Sequence, residues 1–247
     1  MQKMSFAFIA AAIVLALAGC TNVASFDYAG SPGTLAGFQE AGSGRKTVAV
    51  MPFIDQRAAY MRPDNIRDSG SFYWGFLPLF PFGWVTKQEP ENSEDFVSLG
   101  RFHFDARNDL AAAAQISLKA SHLFAGVVRA NNTEQANTDY IWRGRVFDTG
   151  YRGNMYSYCI SYFFAPALWA IGLPMGTSFN DLGVDFELVD RQSNKVLWSY
   201  EFHEGDYLNH WLYARFGQDT NLYPVLMKRA MNSALNDLAR RKAWILK

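Results

Sequence analysis

The chain has 247 residues, of which 49% are hydrophobic and 16% are aromatic. Its 23 basic residues balance its 23 acidic residues, so the overall charge gives no basic surface for nucleic acid. Only two cysteines are present, which excludes a framework of several disulfides.

The first twenty residues have the pattern of an export signal. Lys3 precedes an apolar run from Phe6 to Ala18, and small residues lead from there to Cys20. The run has 13 residues, whereas a helix that crosses the hydrocarbon core of a bilayer needs about 20. We therefore expect residues 1–19 to be a cleaved signal peptide rather than a permanent membrane helix.

The residues around the cleavage point, Leu17, Ala18, Gly19 and Cys20, resemble the lipobox of bacterial lipoproteins. The resemblance implies cleavage before Cys20 and covalent lipid on its thiol, with acyl chains such as palmitate and no other cofactor. Two or three acyl chains hold a protein stably in a membrane. By the same resemblance, Thr21 at the second mature position favours the outer membrane, facing the periplasm. The alternative is an ordinary secretory signal with a chance cysteine.

Residues 20–46 contain five glycines, Pro32 and several serines and threonines, without a sustained apolar period. This composition predicts a lipidated flexible tether with a span of roughly 25 to 30 Å. Residues 47–247 contain no second linker or internal repeat, and they are numerous enough for one sizeable core. We expect them to form a single domain.

The domain begins with a run of β-forming residues, Thr47 to Phe53, whose apolar character indicates a central strand. After a long insertion at residues 56–103, Asp105 is placed to cap a helix that runs to about Ser121. Leu123 to Val128 is predicted to be a strand.

The second half of the domain has the clearest periodicity. Asp139 to Phe147 alternates with period two, as does a hairpin whose turn is Asp190 to Lys195. A final helix starts near Pro224, and its apolar face consists of Met227, Ala230, Met231, Ala234, Leu235 and Leu238. The order of elements predicts an α/β (or α+β) domain, a mixed sheet flanked by helices.

Three segments carry a resemblance to a family of envelope lipoproteins: VAVMPF (48–53), DYIWRGRV (139–146) and FELVDRQSNKVLW (186–198). They resemble the strand signatures of the group that contains the TolB amino-terminal domain, the curli secretion lipoprotein, PelC and LpoB. The resemblance implies the same fold in an envelope accessory protein. The chain departs from the family in its long insertion and in having Asn194 near the position of the family's turn glycine.

Two aromatic segments stand out, Ser71 to Trp84 and Tyr158 to Gly176, both interrupted by prolines. One interpretation is that they fold into the core, where aromatic side chains supply large burial. The other is an exposed patch that meets a membrane surface or a partner subunit. The candidate patch residues are Phe72, Tyr73, Trp74, Phe76, Phe80, Phe82, Trp84, Phe163, Phe164 and Trp169.

Residues with catalytic or metal-binding chemistry do not form a recognisable pattern. The four histidines have no zinc spacing, and Cys159 lies in an apolar stretch that does not activate a thiol. The acids around Pro90 are typical of a solvated loop, and the basic residues 240–242 suit the negative end of a helix. We expect no catalytic residue, no metal site and no nucleic-acid partner.

These patterns together predict a non-catalytic periplasmic lipoprotein, anchored in the cell envelope through Cys20. It would bind another envelope protein or its own copies as an assembly or secretion accessory. A second hypothesis is a ring-forming structural component at the outer membrane. A third is a periplasmic hydrolase with its site beside the insertion, involving His103, Glu89 or Cys159.

Overall fold

The computed structural model describes residues 23–29, 46–57, 82–87, 101–161, 163–215, 218 and 221–245. Its strands are, in chain order, β1 (Val23–Ser25), β2 (Thr47–Val50), β3 (Ile54–Asp55), β4 (Phe82–Lys87), β5 (Arg101–His103), β6 (Gly126–Arg129), β7 (Tyr140–Asp148), β8 (Tyr151–Tyr156), β9 (Gly176–Asp190) and β10 (Val196–His210). Its helices are α1 (Ala106–Ser121), α2 (Ala165–Ala170) and α3 (Leu222–Ile245).

Eight of these strands form one mixed sheet around the long hairpin of β9 and β10. β10 lies antiparallel to β9 along the whole hairpin. On the other side of β9, β7 pairs with its second half and β8 pairs with its first residues. Beyond β7 lie β2 and then β6, both parallel, and beyond β8 lies β4. The arrangement confirms the predicted class, a single α/β domain with a mixed sheet and flanking helices.

Both long helices begin as the sequence predicts. The Asp105 carboxylate accepts hydrogen bonds from the backbone N–H groups of Arg107 (3.0 Å) and Asn108 (3.1 Å), which caps α1. α3 starts at Leu222 and has Pro224 in its first turn. The predicted apolar face of α3 is fully buried, and it consists of Met227, Ala230, Met231, Ala234, Leu235 and Leu238.

The main hydrophobic core fills the space between the sheet and these helices. At its centre, Trp142 of β7 has no exposed surface, and its ring lies 5.5 Å from that of Phe186 and 5.4 Å from that of Trp198. Gly144, two residues further along β7, leaves room for another ring, because a Cβ atom there would sit 2.5 Å from the ring of Phe53. Strands β7, β9 and β10 therefore share one aromatic layer under the helices.

The opposite face of the sheet is polar. The Arg145 guanidinium pairs with the carboxylates of Glu187 (3.0 Å) and Asp185 (3.4 Å), and His203 bonds to Asp148 at 2.9 Å. Alternate residues of β7, β9 and β10 thus face the helices or this charged surface, as period two requires. Burial raises the pKa of Asp185 even though Arg145 opposes the shift.

The N-terminal segment at residues 23–29 packs on the domain. β1 pairs in parallel with β5, and the ladder continues through a hydrogen bond from the Phe26 N–H to the His103 carbonyl (3.1 Å). The ring of Phe26 stacks on that of Phe104 at 5.2 Å, and the hydroxyl of Tyr28 bonds to that of Ser117 in α1. Residues 23–29 therefore belong to the folded domain rather than to the tether predicted at 20–46.

Three other boundaries differ from prediction. The strand predicted at Thr47 to Phe53 already ends at Val50, with the short β3 following at Ile54–Asp55, and the strand predicted at Leu123 to Val128 starts only at Gly126. The segment treated as an insertion, residues 56–103, contributes β4 to the main sheet and β5 to the pair with β1. The sheet thus extends into a region where the sequence shows no alternation.

The start of β2 is held by one carboxylate, which makes stability depend on pH. Asp139 accepts hydrogen bonds from the Thr47 N–H (2.8 Å), the Thr47 hydroxyl (3.0 Å) and the Lys46 ammonium (3.1 Å). These bonds lower the pKa of Asp139, and the bond from the Thr47 N–H contributes most. A lowered folded-state pKa stabilises the fold above the unfolded pKa of about 3.9. This stabilisation is lost as the pH falls through the folded-state value.

We expect Asp139→Asn to lower the free energy of unfolding at pH 7 by roughly 1 kcal/mol, because the carboxylate is partly solvated. The difference from wild type should shrink as the pH falls through the lowered folded-state pKa of Asp139, because the protonated carboxyl, like asparagine, carries no charge. Urea unfolding at several pH values measures it, with Glu134→Gln on an exposed loop as the control. A difference that keeps its full size in acid would contradict this assignment.

Candidate functional site

One end of the sheet extends beyond the main core as a four-stranded extension. It consists of β4, β8, the start of β9 and the end of β10, and the hairpin strands are 15 residues long, or about 50 Å at 3.4 Å per residue. The chain at the end of this extension, residues 157–161, 163–175 and 211–214, is called the apolar tip below. It includes α2 and lies on both sides of the hairpin's open end.

Large apolar side chains project from the apolar tip into solvent. Phe163, Phe164 and Ile171 expose 75%, 67% and 77% of their surface. Their neighbours in the tip that also expose more than a third of theirs are Ile160, Leu173, Leu212 and Tyr213. Scattered single apolar residues are normal on protein surfaces, but seven from two short segments at one end of a sheet make a patch.

The tip has no formal charge. No Asp, Glu, Lys or Arg occurs from Gly153 to Asn180 or from Tyr207 to Ala214. The charged residues that border these stretches are Arg152, Asp181, Asp206 and Arg215. Arg152 lies 3.7 Å from Asp181 and 5.3 Å from the centre of the Phe179 ring, so the border is polar where the sheet extension begins.

Beneath the exposed side chains, the tip has a small core of its own. Trp169 is 8% exposed, and it packs with Met155, Ala165 and Met175. Its indole N–H donates to the Tyr156 carbonyl at 3.1 Å, which ties α2 to the end of β8. Trp169 is a candidate for the exposed patch by sequence, together with Phe163 and Phe164, but the structure buries it beneath them, because α2 turns this ring towards β8.

The backbone before α2 is tightly turned. Tyr158, Cys159 and Ser161 have positive φ angles of 55°, 64° and 75°, a conformation that costs L-residues roughly 1 kcal/mol each. The Tyr158 hydroxyl donates to the Pro174 carbonyl at 2.5 Å, so the two ends of the segment are joined. This turn directs the chain that carries Phe163 and Phe164 away from the sheet.

Polar side chains join the hairpin strands where they enter the tip. The Thr177 hydroxyl lies 2.7 Å from both the Tyr156 hydroxyl and the Asn209 side-chain oxygen. On the other face of β9, Ser178 bonds to His210 Nε2 at 2.6 Å, and His210 Nδ1 lies 2.8 Å from the Arg215 carbonyl. These bonds fix the tip rigidly to the extension.

The Ser178–His210 contact has the geometry of a nucleophile and its base, but its position does not suit catalysis. Ser178 is only 1% exposed, so a substrate cannot reach its hydroxyl. The Arg215 carbonyl stands where a catalytic triad has a carboxylate. The pair therefore serves to satisfy buried polar atoms at the end of the hairpin.

The first aromatic segment reaches the same end of the sheet. Phe82 and Trp84 lie in β4, and the register places Phe82 opposite Tyr156, the last residue of β8. β4 therefore starts beside the apolar tip, and the two predicted aromatic segments converge there. The other candidate residues lie outside the described part of the chain, and they are Cys20, Phe72, Tyr73, Trp74, Phe76 and Phe80.

The remaining candidate chemistry is dispersed. His103 ends β5 at the entry to α1, whereas Cys159 is exposed in the tip, so the two are not neighbours in one cleft; Glu89 lies outside the described residues. In the part of the chain that the structure describes, no three His, Cys, Asp or Glu side chains lie close enough to hold a metal ion. The same part contains no helix with the length and hydropathy needed to span a bilayer.

Sequence reasoning missed several residues of this surface. Ile171 and Leu173 lie within the segment that was singled out, but Leu212 and Tyr213 come from the far end of the hairpin. The Tyr213 hydroxyl donates to the Ala170 carbonyl at 2.9 Å, which brings the two segments together. The available signal was the absence of charge from Gly153 to Asn180 and again from Tyr207 to Ala214.

No protein-family model matches the sequence, and no curated protein matches it. Among solved structures, the chain is similar to the PelC dodecamer of Paraburkholderia phytofirmans (15% identity, 76% of this chain and 87% of that chain, TM-score 0.35). It is also similar to a DUF330 protein of Xanthomonas campestris (10% identity, 91% of this chain and 95% of that chain, TM-score 0.34). A third similar structure is a minor lipoprotein of Acinetobacter baumannii (14% identity, 56% of this chain and 89% of that chain, TM-score 0.32). At these TM-scores the likenesses assign the chain neither a family nor a role.

Proposed function

We propose that this chain is a non-catalytic lipoprotein of the cell envelope, held by lipid on Cys20 in the outer membrane and facing the periplasm. In this role it binds another envelope protein or its own copies as an assembly or secretion accessory. Two exposed surfaces carry the proposal: the apolar tip, a rigidly supported and uncharged surface at the end of a long hairpin, and the outer edge of β10, which is unpaired among the described residues and open to a protein partner. Such surfaces are built for contact rather than for chemistry.

The anchor is supported by the order of the N-terminal residues. Leu17, Ala18 and Gly19 precede Cys20, and β1 starts at Val23, only three residues after the cysteine. Thr21 at the second mature position favours the outer membrane by resemblance to enterobacterial lipoproteins. Two or three acyl chains on Cys20 give an attachment that does not depend on the rest of the chain.

A second candidate role, a ring-forming structural component, is favoured by the outer edge of the sheet. Among the described residues, β10 pairs only with β9, so the other side of a 15-residue strand is an open edge. An open edge is a template for strand addition by a second chain. Glu201 and Glu204 on this strand are exposed, and charges on an edge strand oppose indiscriminate pairing, so a matched partner is required.

Cell fractionation of wild type and Cys20→Ala tests the anchor. We expect wild type in the outer-membrane fraction, with an intact mass that includes the acyl chains, and Cys20→Ala in soluble or uncleaved form. Cys159→Ala, which changes the other cysteine, should fractionate as wild type does. An unmodified Cys20 in soluble wild-type protein would contradict the anchor.

The binding role is tested on the same acylated protein, extracted in mild detergent. Crosslinking in cells followed by size analysis should give a defined complex larger than the monomer, either with one envelope protein or with copies of this chain. A complex of copies alone supports the ring-forming role. Monomer at every concentration, without a crosslinked partner, would contradict both roles.

A further inference from the structure

The N-terminal segment docks on the domain near the level at which the sheet extension begins. Phe26 stacks on Phe104, next to the N-terminal end of α1, whereas Tyr28 reaches Ser117 near the other end of that helix. The chain therefore enters along α1 from its N-terminal end. Phe104 stacks on Tyr223, whose hydroxyl bonds to the Thr149 and Gly150 carbonyls, so this is the level at which β8 and the extension begin.

The number of residues between Cys20 and the docked segment is enough for the lipid to reach the level of the tip. β8 has six residues, so the tip begins about 20 Å beyond Gly150. From Phe26 back to Val23 is about 10 Å of extended chain, and the three residues before Val23 can span at most about 10 Å more. Without the docking of β1, a flexible tether would leave the domain and the membrane roughly 25 to 30 Å apart.

We propose that the apolar tip inserts its exposed side chains into the surface of the bilayer that holds the lipid on Cys20. The inference rests on the proposed lipid anchor and names the occupant of the tip. The domain then has two membrane contacts, one covalent and one made by side chains, and these fix its orientation. Protein partners are left to the rest of the surface, such as the open edge of β10.

The side chains of the tip suit the layers of a membrane surface. Phe163, Phe164 and Ile171 are the most exposed, and apolar side chains of this kind enter the boundary between headgroups and acyl chains. Tyr213 in the tip and Tyr207, four residues before the tip on β10, are exposed by 75% and 60%, and tyrosine is enriched at headgroup level. Arg215 is exposed at the border of the tip, where an anionic phosphate attracts a guanidinium.

The natural cysteine of the tip provides the probe. Cys159 is exposed, and after acylation of Cys20 it is the one thiol left in the mature chain. We would attach an environment-sensitive dye to Cys159 in the acylated protein and reconstitute it in vesicles of phosphatidylethanolamine and phosphatidylglycerol with nitroxide-labelled lipid. Intact mass of the same sample reports whether Cys20 carries lipid.

We expect a blue-shifted dye that is quenched by the nitroxide lipid. Phe163→Ser/Phe164→Ser should lose most of this quenching while its circular dichroism stays unchanged, because both rings are exposed. In the Cys20→Ser chain, which binds vesicles through the tip alone, the same double variant should lower the partition coefficient at least about tenfold. The matched control is Val128→Ser/Val196→Ser, which changes two exposed apolar residues on β6 and at the far end of β10 and should keep wild-type quenching.

Three results would overturn the inference in different ways. Acylated protein with an unquenched, solvent-exposed dye removes the tip contact and leaves the lipid anchor in place. A dye that becomes shielded without vesicles as the protein concentration rises assigns the tip to a second copy of the chain. An unmodified Cys20 in the mass spectrum removes the anchor of the proposed function, and with it a shared bilayer, whatever the quenching.

Discussion

Trp142→Ala is expected to lower the free energy of unfolding by about 3 to 5 kcal/mol, the largest loss from any single change considered for this chain. Trp142 is fully buried between Phe186 and Trp198, so its removal leaves a cavity where three strands meet. Typical domains are stable by only about 5 to 15 kcal/mol. We therefore expect partial unfolding of this variant already at moderate temperature.

The matched variant Trp142→Phe separates the effect of lost ring volume from the effect of the lost indole N–H. The indole N–H of Trp142 has no hydrogen-bond partner among the described residues, so phenylalanine removes ring volume without breaking a bond there. We expect a loss of only about 1 kcal/mol, since most of the aromatic contact remains. Urea unfolding of the Cys20→Ser chain measures both variants, provided that the m-values agree. Equal losses for alanine and phenylalanine would show that the indole N–H has a partner that matters.

The sequence pattern predicts α1, α3 and the turn of the β9–β10 hairpin well, because hydrophobic residues recur there at regular spacing. Asp105 and the spacing of apolar residues identify α1, and Pro224 and six buried residues identify α3. The turn at Asp190 to Lys195 is also where the hairpin reverses. In each case, one local pattern sets both the secondary structure and the buried face.

The extension of the sheet escapes prediction because its strands lack that regularity. Gly183 and Gly205 interrupt the alternation in β9 and β10, and beyond them several buried positions are polar, namely Ser178, Asn180 and His210. Such residues occupy buried positions only when partners from other strands satisfy them, as His210 does for Ser178. Contacts between residues distant in sequence, rather than a local period, hold this half of the sheet.

The N-terminal segment is mispredicted for a similar reason. Between Thr21 and Lys46 the composition is typical of a tether, and Phe26 and Tyr28 are two of its few large apolar residues. Their packing partners, Phe104 and Ser117, lie about 80 to 90 residues away in the chain, so nothing near them in the sequence indicates docking. The docking of β1 therefore shortens the free chain that the composition of residues 20–46 predicts.

The candidate surface was predictable as a segment but not residue by residue. Tyr158 to Gly176 is apolar and uncharged, which identifies it as either core or patch. α2 has only six residues, too few for a helical period to separate Trp169 from Phe163 and Phe164. The hydrogen bond from Trp169 to Tyr156 decides which aromatic side chain turns inwards.

Trp169→Ala is expected to disorganise the apolar tip while the main core stays folded. The side chain packs in a cluster separate from the main core, with Met155, Ala165 and Met175, and its loss also breaks the bond to the Tyr156 carbonyl. Hydrogen exchange measures local opening, so amides of the tip should exchange at least about tenfold faster, while those of α1 and α3 keep their protection.

The same variant tests whether the tip must be rigid to act. If ordered side chains are required, Trp169→Ala should lose the quenching of a dye on Cys159 as fully as Phe163→Ser/Phe164→Ser does, although Trp169 itself is buried. Trp169→Phe should restore part of it, because a ring again fills the cluster even without the N–H donor. Full quenching in Trp169→Ala together with fast exchange would mean that a loose apolar loop is enough for contact, and that the small core of the tip serves stability alone.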